Sequence, residues 1–137
     1  ELSGDVISTA NTPHHKAAHW ILWIDESGIM PESEFMLQRY VLALMYYQMG
    51  DGNHVFDLNP NSDECNWDKI GCNLEGHVQH IRFHNCDLSG NISEEIKALS
   101  ELAYLDLSHN NLSGPIPVEA FKDLKKLQYV YLDNNNL

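Results

Sequence analysis

The chain has 137 residues, a formal net charge of -12 from 8 Lys and Arg against 20 Asp and Glu, and 43% apolar residues, the make-up of one ordinary globular domain. The acidic balance excludes binding to a nucleic-acid backbone, which requires clustered Lys and Arg to displace counterions. The longest apolar run, Tyr40 to Tyr47, has the length of a core helix and falls short of the ~18 residues of a membrane span.

Residues 1–13 (ELSGDVISTANTP) show no periodicity and are rich in Ser, Thr and Asn, so an extended arm is expected. From His14 to Asp25, Ala17, Trp20, Ile21 and Ile24 fall at i, i+3, i+4 and i+7, which predicts an amphipathic helix. A second helix is expected to start at Ser33 as N-cap after Pro31, with Glu34 in its first turn. Its stripe is Leu37, Tyr40, Val41, Leu44 and Met45, and Gly50 ends it. Asp51 to Asp63 reads as a loop, with Val55 and Phe56 as a short strand or anchor.

Three later segments share one apolar spacing. The first is Val78, Ile81, Phe83, Cys86, Leu88, Gly90, Ile92. The second is Leu102, Leu105, Leu107, Asn110, Leu112, Gly114, Ile116, Pro117, and the third Leu127, Val130, Leu132, Asn135, Leu137. Their offsets are 24 and 25 residues, and each fits L-x-x-L-x-L-x-x-[N/C]-x-L, the leucine-rich repeat pattern. Short strands at Ile81–Phe83 and Leu105–Leu107 would put alternate side chains inside a coil. At the ninth position Asn110 and Asn135 can bond backbone groups of adjacent coils, and Cys86 substitutes for Asn there. Ile96, Leu99, Ala120, Phe121 and Leu124 supply the apolar side of the convex turns. The fold class is an α/β solenoid, a right-handed coil with short parallel β-strands behind an α-helical N-terminal cap closed by a disulfide. Its expected divisions are an arm at 1–13, the cap at 14–76, and repeats at 77–137, two complete and the third truncated.

Cys65 and Cys72 flank Trp67 just before the first repeat. A solenoid's first coil has no preceding coil to cover its apolar end, and a short disulfide loop over a Trp is a compact cover. A Cys65–Cys72 bond is therefore expected, worth roughly 2–3 kcal/mol by the chain-entropy model. Zinc lacks partner ligands, and Cys86 is expected as a free buried thiol. The bond implies an oxidising compartment, outside the cell or at its surface through the secretory pathway, with an organelle lumen as the alternative. Two sequons, at Asn91 and Asn111, lie on turns leaving the strands and are candidate glycosylation sites.

Together, C-x-W-x-x-I-x-C and the following NLSGPIP-type repeat resemble the plant class of extracellular leucine-rich repeat proteins: receptor-like kinases, receptor-like proteins and polygalacturonase inhibitors. The helix text QRYVLALMYYQMGDG looks more like algal, especially diatom, members. Lys69 and Ser93 depart from the Gly and Pro usual in the family. The resemblance implies recognition of a peptide, glycan or protein partner by an ectodomain.

Outward strand positions stack into three columns: His80, Tyr104, Tyr129; Arg82, Asp106, Tyr131; and His84, Ser108, Asp133. Tyr gives contact area at low entropy cost and Arg gives directional hydrogen bonds, which suits a ligand face. The competing reading is a solvated face with Arg82 and Asp106 as a surface ion pair worth under about 1 kcal/mol. His80, His84 and His109 read as surface imidazoles, so neither metal nor other cofactor is expected. No P-loop, G-x-S-x-G or H-E-x-x-H occurs, and Glu94-Glu95 reads as a solvated helix start. The expected function is non-enzymatic recognition in the N-terminal part of a receptor-type ectodomain. The alternatives are an assembly subunit and an inhibitor of a secreted hydrolase. The third repeat stops at Leu137 without a closing cap, so either a longer chain or a partner over that coil end is expected. Peptide mapping without reduction should recover Cys65 linked to Cys72 and Cys86 alkylated after denaturation; a Cys86 disulfide to either would overturn the cap assignment.

Overall fold

The computed structural model describes residues 10–24, 33–50 and 58–137. Most of the arm assigned to 1–13, the helix end at Asp25, and the anchor residues Val55 and Phe56 lie outside the described residues.

Helix α1 (Pro13–His19) starts one residue earlier than expected: the Thr12 side chain accepts from the His15 N–H, and Pro13 occupies a first-turn position where no N–H is needed. From Trp20 to Ile24 the helix widens into π-type bonding. The single amphipathic helix expected over His14–Asp25 is thus split, and Trp20 is buried while Leu22 and Trp23 are exposed. Helix α2 (Glu34–Met49) begins as expected, with Ser33 Oγ accepting from the Phe35 N–H at 3.2 Å, and ends at Gly50. Its packing differs from a one-sided stripe. Gln38, Arg39, Leu42 and Ala43 are buried along with Tyr40, Val41, Leu44 and Met45, whereas Leu37 is exposed. The reason is that α2 lies between α1 on one side and the first repeat on the other, so it has no solvated face along most of its length.

The disulfide loop opens with Asp63, whose side chain accepts from the Cys65 N–H and caps a 3₁₀ turn at Glu64–Asn66. Cys65 and Cys72 are bonded, with Cα atoms 5.4 Å apart. Strand β1 (Ile70–Cys72) pairs antiparallel with β2 (Val78–Arg82), an edge that the repeat pattern did not foretell. Beyond it the sheet is parallel in the order β1-β2-β4-β6, with β4 at Tyr104–Asp106 and β6 at Tyr129–Tyr131. A second two-stranded sheet joins β3 (Ser89–Gly90) and β5 (Asn111–Leu112). Strands β2 and β4 sit earlier than Ile81–Phe83 and Leu105–Leu107. Phe83 and Leu107 still donate across the ladder, to the Asp106 and Tyr131 carbonyls, but the chain turns there before completing a bridge.

Ile81, Phe83, Leu102, Leu105, Leu107 and Leu112 fill the coil interior, and Ile96, Leu99, Ala120 and Leu124 close its convex side, where 3₁₀ turn Glu94–Ala98 stacks on helix α3 (Val118–Asp123). Each fully buried Leu or Ile contributes about 1.5–3 kcal/mol. Asn110 supplies the polar ladder: its Nδ2 donates to the carbonyls of Phe83, Leu107 and Ser108, and its Oδ1 accepts from Cys86 and Leu88. Gly90, at φ +78°, lets the chain pass under the end of α2, where a Cβ would stand 2.5 Å from the Gln48 carbonyl oxygen.

Cap and repeats meet at Arg39, which has no solvent exposure. Its Nη1 donates to Glu64 Oε2 at 2.9 Å and its Nη2 to the Asn59 carbonyl at 3.3 Å. The guanidinium lies 5.2 Å from the Trp20 ring centre and 4.7 Å from that of Trp67. Gln38 beside it donates to Glu64 and to the Gly76 carbonyl and accepts from the Val78 N–H. Removing one charge from such a pair leaves the other buried and uncompensated, so Glu64→Gln should cost about 3–5 kcal/mol. Urea titration should show this as a lower midpoint at unchanged slope. Arg39→Met combined with Glu64→Leu should lose less than either charge removal alone.

Candidate functional site

The parallel register places His80 beside Tyr104 and Tyr129, and Arg82 beside Asp106 and Tyr131. Their side chains alternate away from the buried Ile81 and Leu105 because a strand has a period of two. Ring centres of His80 and Tyr104 are 6.0 Å apart, those of Tyr104 and Tyr129 6.1 Å, and those of Tyr104 and Tyr131 5.7 Å. The Arg82 guanidinium lies 5.6 Å over the Tyr104 ring. Arg82, Tyr129 and Tyr131 are exposed, and His80 and Tyr104 are half-buried. The result is a continuous aromatic row with one cation held on it. Burial, and then the positive charge of Arg82, pull the His80 pKa below its usual 6.5, so the imidazole in this row is neutral near pH 7.

Two members of the expected columns have other partners. Ser108 is only 4% exposed and is not an outward contact. Its hydroxyl folds back to donate to Asp106 Oδ1 at 2.6 Å, and its N–H donates to the same atom at 3.0 Å. Asp106 is therefore occupied, and Arg82 stacks on Tyr104 instead of forming the surface ion pair. His84 Nδ1 lies 2.9 Å from Ser108 Oγ; because that hydroxyl donates to Asp106, it accepts from the ring. His84 is otherwise exposed and packs edge-on to His109, with ring centres 4.9 Å apart. Asp133 is exposed beside His109, at 3.7 Å.

Ser, His and Asp meet here in an order unsuited to nucleophilic catalysis. A nucleophile needs the imidazole as base with the carboxylate behind it, whereas this hydroxyl is buried and donates its hydrogen bond to the carboxylate. Cys86, expected as buried, is half-buried. Its Sγ donates to the His84 carbonyl, and burial pushes its thiol pKa up, away from the thiolate. Among the described residues no group of three or more His, Cys, Asp or Glu is arranged to hold a metal ion.

A second concavity, of about 500 Å³, lies at the convex edge between the cap and the first two repeats. His14 Nε2 meets Glu95 Oε1 there at 2.9 Å, and the Ser93 hydroxyl donates to the other Glu95 oxygen. Glu95 is thus half-buried and bonded, unlike the solvated helix start expected of Glu94-Glu95. The 81-residue separation from His14 left no local signal of the contact. Both sequon residues, Asn91 and Asn111, are exposed. Gln48 Nε2 donates to Asn91 Oδ1 at 3.1 Å, and Asn136 Nδ2 donates to Asn111 Oδ1.

Parallel one-turn strands, an Asn ladder and a disulfide cap define a leucine-rich repeat solenoid. Residues 87–137 match the leucine rich repeat family model. The receptor-like kinase TMK4 of Arabidopsis thaliana is 39% identical over 80 residues, 58% of this chain and 8% of that protein. In the complex of BIR3 with SERK2 from Arabidopsis thaliana, the matched chain superposes with a TM-score of 0.60 at 26% identity, over 69% of this chain and 54% of that one. The leucine-rich repeat ectodomain of the membrane receptor kinase GASSHO1/SCHENGEN3 from Arabidopsis thaliana, in complex with CASPARIAN STRIP INTEGRITY FACTOR 2, matches with a TM-score of 0.50 at 34% identity, over 55% of this chain and 9% of that chain. Residues 87–137 carry leucine-rich repeats, and the solved structures this chain resembles include the leucine-rich repeat ectodomain of a plant membrane receptor kinase. The chain spans less than a tenth of the length of the receptor-like kinase TMK4, and among the described residues no helix is long and apolar enough to cross a membrane.

Burial raises the Glu95 pKa, but hydrogen bonds from Ser93, His14 and its own N–H, with the charge of His14, outweigh this and hold it below the usual 4.5. A carboxylate with a depressed folded-state pKa stabilises above its unfolded value and loses that contribution as pH falls through the folded value. The melting temperature of the protein should therefore drop more steeply below pH 4.5 than that of Glu95→Gln, as differential scanning calorimetry would show.

Proposed function

We propose that this chain is a ligand-recognition module of a receptor-type extracellular protein, and that its concave strands contact a peptide, protein or glycan partner. The observation that carries this reading is the aromatic row His80, Tyr104, Tyr129 and Tyr131 with Arg82 stacked on it. Rigid aromatic rings on a sheet bury large area with little loss of conformational freedom, which is the property of residues that dominate binding energy. His84 and Asp133 extend the face along the next column. The Cys65–Cys72 bond fits a secreted or surface location. The solved relatives in complexes support partner binding as the role of such ectodomains.

A second reading, a subunit docked into an assembly, is favoured by the exposed apolar side chains Leu22 and Trp23 after the first helix. The two readings separate by photo-cross-linking in the full natural protein on its own cells. A cross-linking residue at position 131 should trap a partner and one at position 125, on the convex side, should not. Tyr104→Ala should weaken that partner's binding by roughly tenfold or more with the melting temperature unchanged. Equal trapping at both positions would sink the concave-face reading, and trapping at position 23 alone would favour the assembly subunit.

A further inference from the structure

The groove at the convex edge is built around a sequon. Asn91-Ile92-Ser93 has the acceptor pattern for N-linked glycosylation, and Ile92 is buried, which anchors the chain beside the exposed Asn91. Gln48, on the last turn of α2, holds Asn91 by its side-chain oxygen, so the Asn91 Nδ2 that would carry a sugar is the atom left over. The approach is close on the other side as well: a Cβ on Gly114, at φ +81°, would stand 3.3 Å from the Asn91 Cβ. The Gln48 hydrogen bond and the close passage of Gly114 confine the Asn91 side chain.

Asn91 lines a space of about 500 Å³, within the roughly 300–1,000 Å³ of small-ligand sites. One wall is apolar: Pro115, Ile116, Pro117 and Val118, with Ile116 41% and Val118 53% exposed. His14, Glu95 and Glu119 on the remaining walls suit sugar hydroxyls. Gln48 also lines the space, beside the amide it holds.

We propose that Asn91 carries an N-linked glycan whose first sugars lie in this groove, over Ile116 and Val118 and within reach of Gln48, as a packed part of the fold. The inference rests on the secretory location in the reading above. In forming the link, Asn91 Nδ2 bonds to the anomeric carbon of an oligosaccharide carried on a lipid pyrophosphate. The bond from that carbon to the pyrophosphate oxygen breaks, its electron pair leaves with the oxygen, and the amide gives up one proton. The sugar then lies down as the chain folds, covering apolar surface that would otherwise face water. Asn111 is the internal control, because it is exposed and does not line the groove.

The test uses the full natural chain secreted from a eukaryotic host, with peptide-N-glycosidase digestion followed by glycopeptide mass spectrometry. Asn91 should carry a glycan, and its release from the native protein should be at least about tenfold slower than from Asn111, the difference vanishing after denaturation. Ile116→Ser with Val118→Ser, and separately Gln48→Ala, should abolish the protection and lower the melting temperature of the glycosylated protein more than that of the deglycosylated one, while leaving Asn91 occupancy and the Asn111 release rate as they were. Asn91 bare with Asn111 occupied overturns the inference and leaves the recognition reading standing. So does an Asn91 glycan released as fast as that of Asn111, or protection that both variants leave intact. Both sites bare would overturn it together with the secretory location.

Discussion

The cap and the first strand of the repeats converge on one desolvated guanidinium. Burying a charge costs several kcal/mol even after relaxation, and the cost is offset only when geometry and hydrogen bonds are complete. Arg39 meets that condition with groups from separate parts of the chain: Glu64 from the disulfide loop, the Asn59 carbonyl before it, and two indole faces, Trp20 and Trp67. The contact thus ties the helices of the cap to the disulfide loop. The indoles are themselves in edge contact at 5.8 Å, and Trp67 Nε1 donates to the same Asn59 carbonyl that Arg39 uses. Through Gln38, the adjacent helical position, the network reaches the N–H of Val78. That residue opens β2, so the cap sets the height at which the first parallel strand starts.

From β2 onward the structure is quasi-one-dimensional, each coil satisfied by the next. Strands in register hold their outward side chains at the inter-strand spacing of about 4.8 Å, and the rings of His80, Tyr104 and Tyr129 follow at 6.0 and 6.1 Å. A row held this way has little conformational entropy left to lose on binding, the condition under which buried area converts well into affinity. A rigid cap and an ordered concave row are in this sense the same requirement: a tilt of β2 at the cap would be passed to every ring along the row.

What was legible in the residues follows from how far each signal reaches. The repeats, the Cys65–Cys72 bond and two of the columns are encoded by spacings of two to twenty-five residues, and the register brings His80, Tyr104 and Tyr129, and Arg82, Asp106 and Tyr131, side by side. The Arg39–Glu64 pair was hidden because both residues sit where a solvated charge is ordinary, one on the polar side of a helical stripe and one beside a cysteine. Only the arrival of α1 and the repeats on both sides of α2 makes them interior. Ser108 was misplaced for a different reason: alternation gives the side on which a side chain leaves the strand, and a short hydroxyl can still turn back to a neighbouring carboxylate. The His14–Glu95 contact and the groove beside it depend on chain segments too distant for any local pattern to register.

The one departure from the Asn ladder, Cys86, follows from the same directionality. Asn110 does not serve its own coil alone; it reaches back to the Phe83 carbonyl and to the N–H groups of Cys86 and Leu88. Asn135 does likewise for the Leu107 carbonyl and the Leu112 N–H. Each ladder amide therefore completes the coil before it. The residue at position 86 has no repeat before it to complete, since its upstream neighbours are the antiparallel strand β1 and the end of α2, which already pair with β2 and abut Gly90. An Asn there would bring donors and an acceptor to a half-buried place with fewer backbone partners to meet them, and unmet buried polar groups destabilise. A thiol fills the volume, donates once to the His84 carbonyl and asks for nothing more. The Asn-to-Cys exchange at the first repeat thus marks where the cap ends and the repeating arrangement begins.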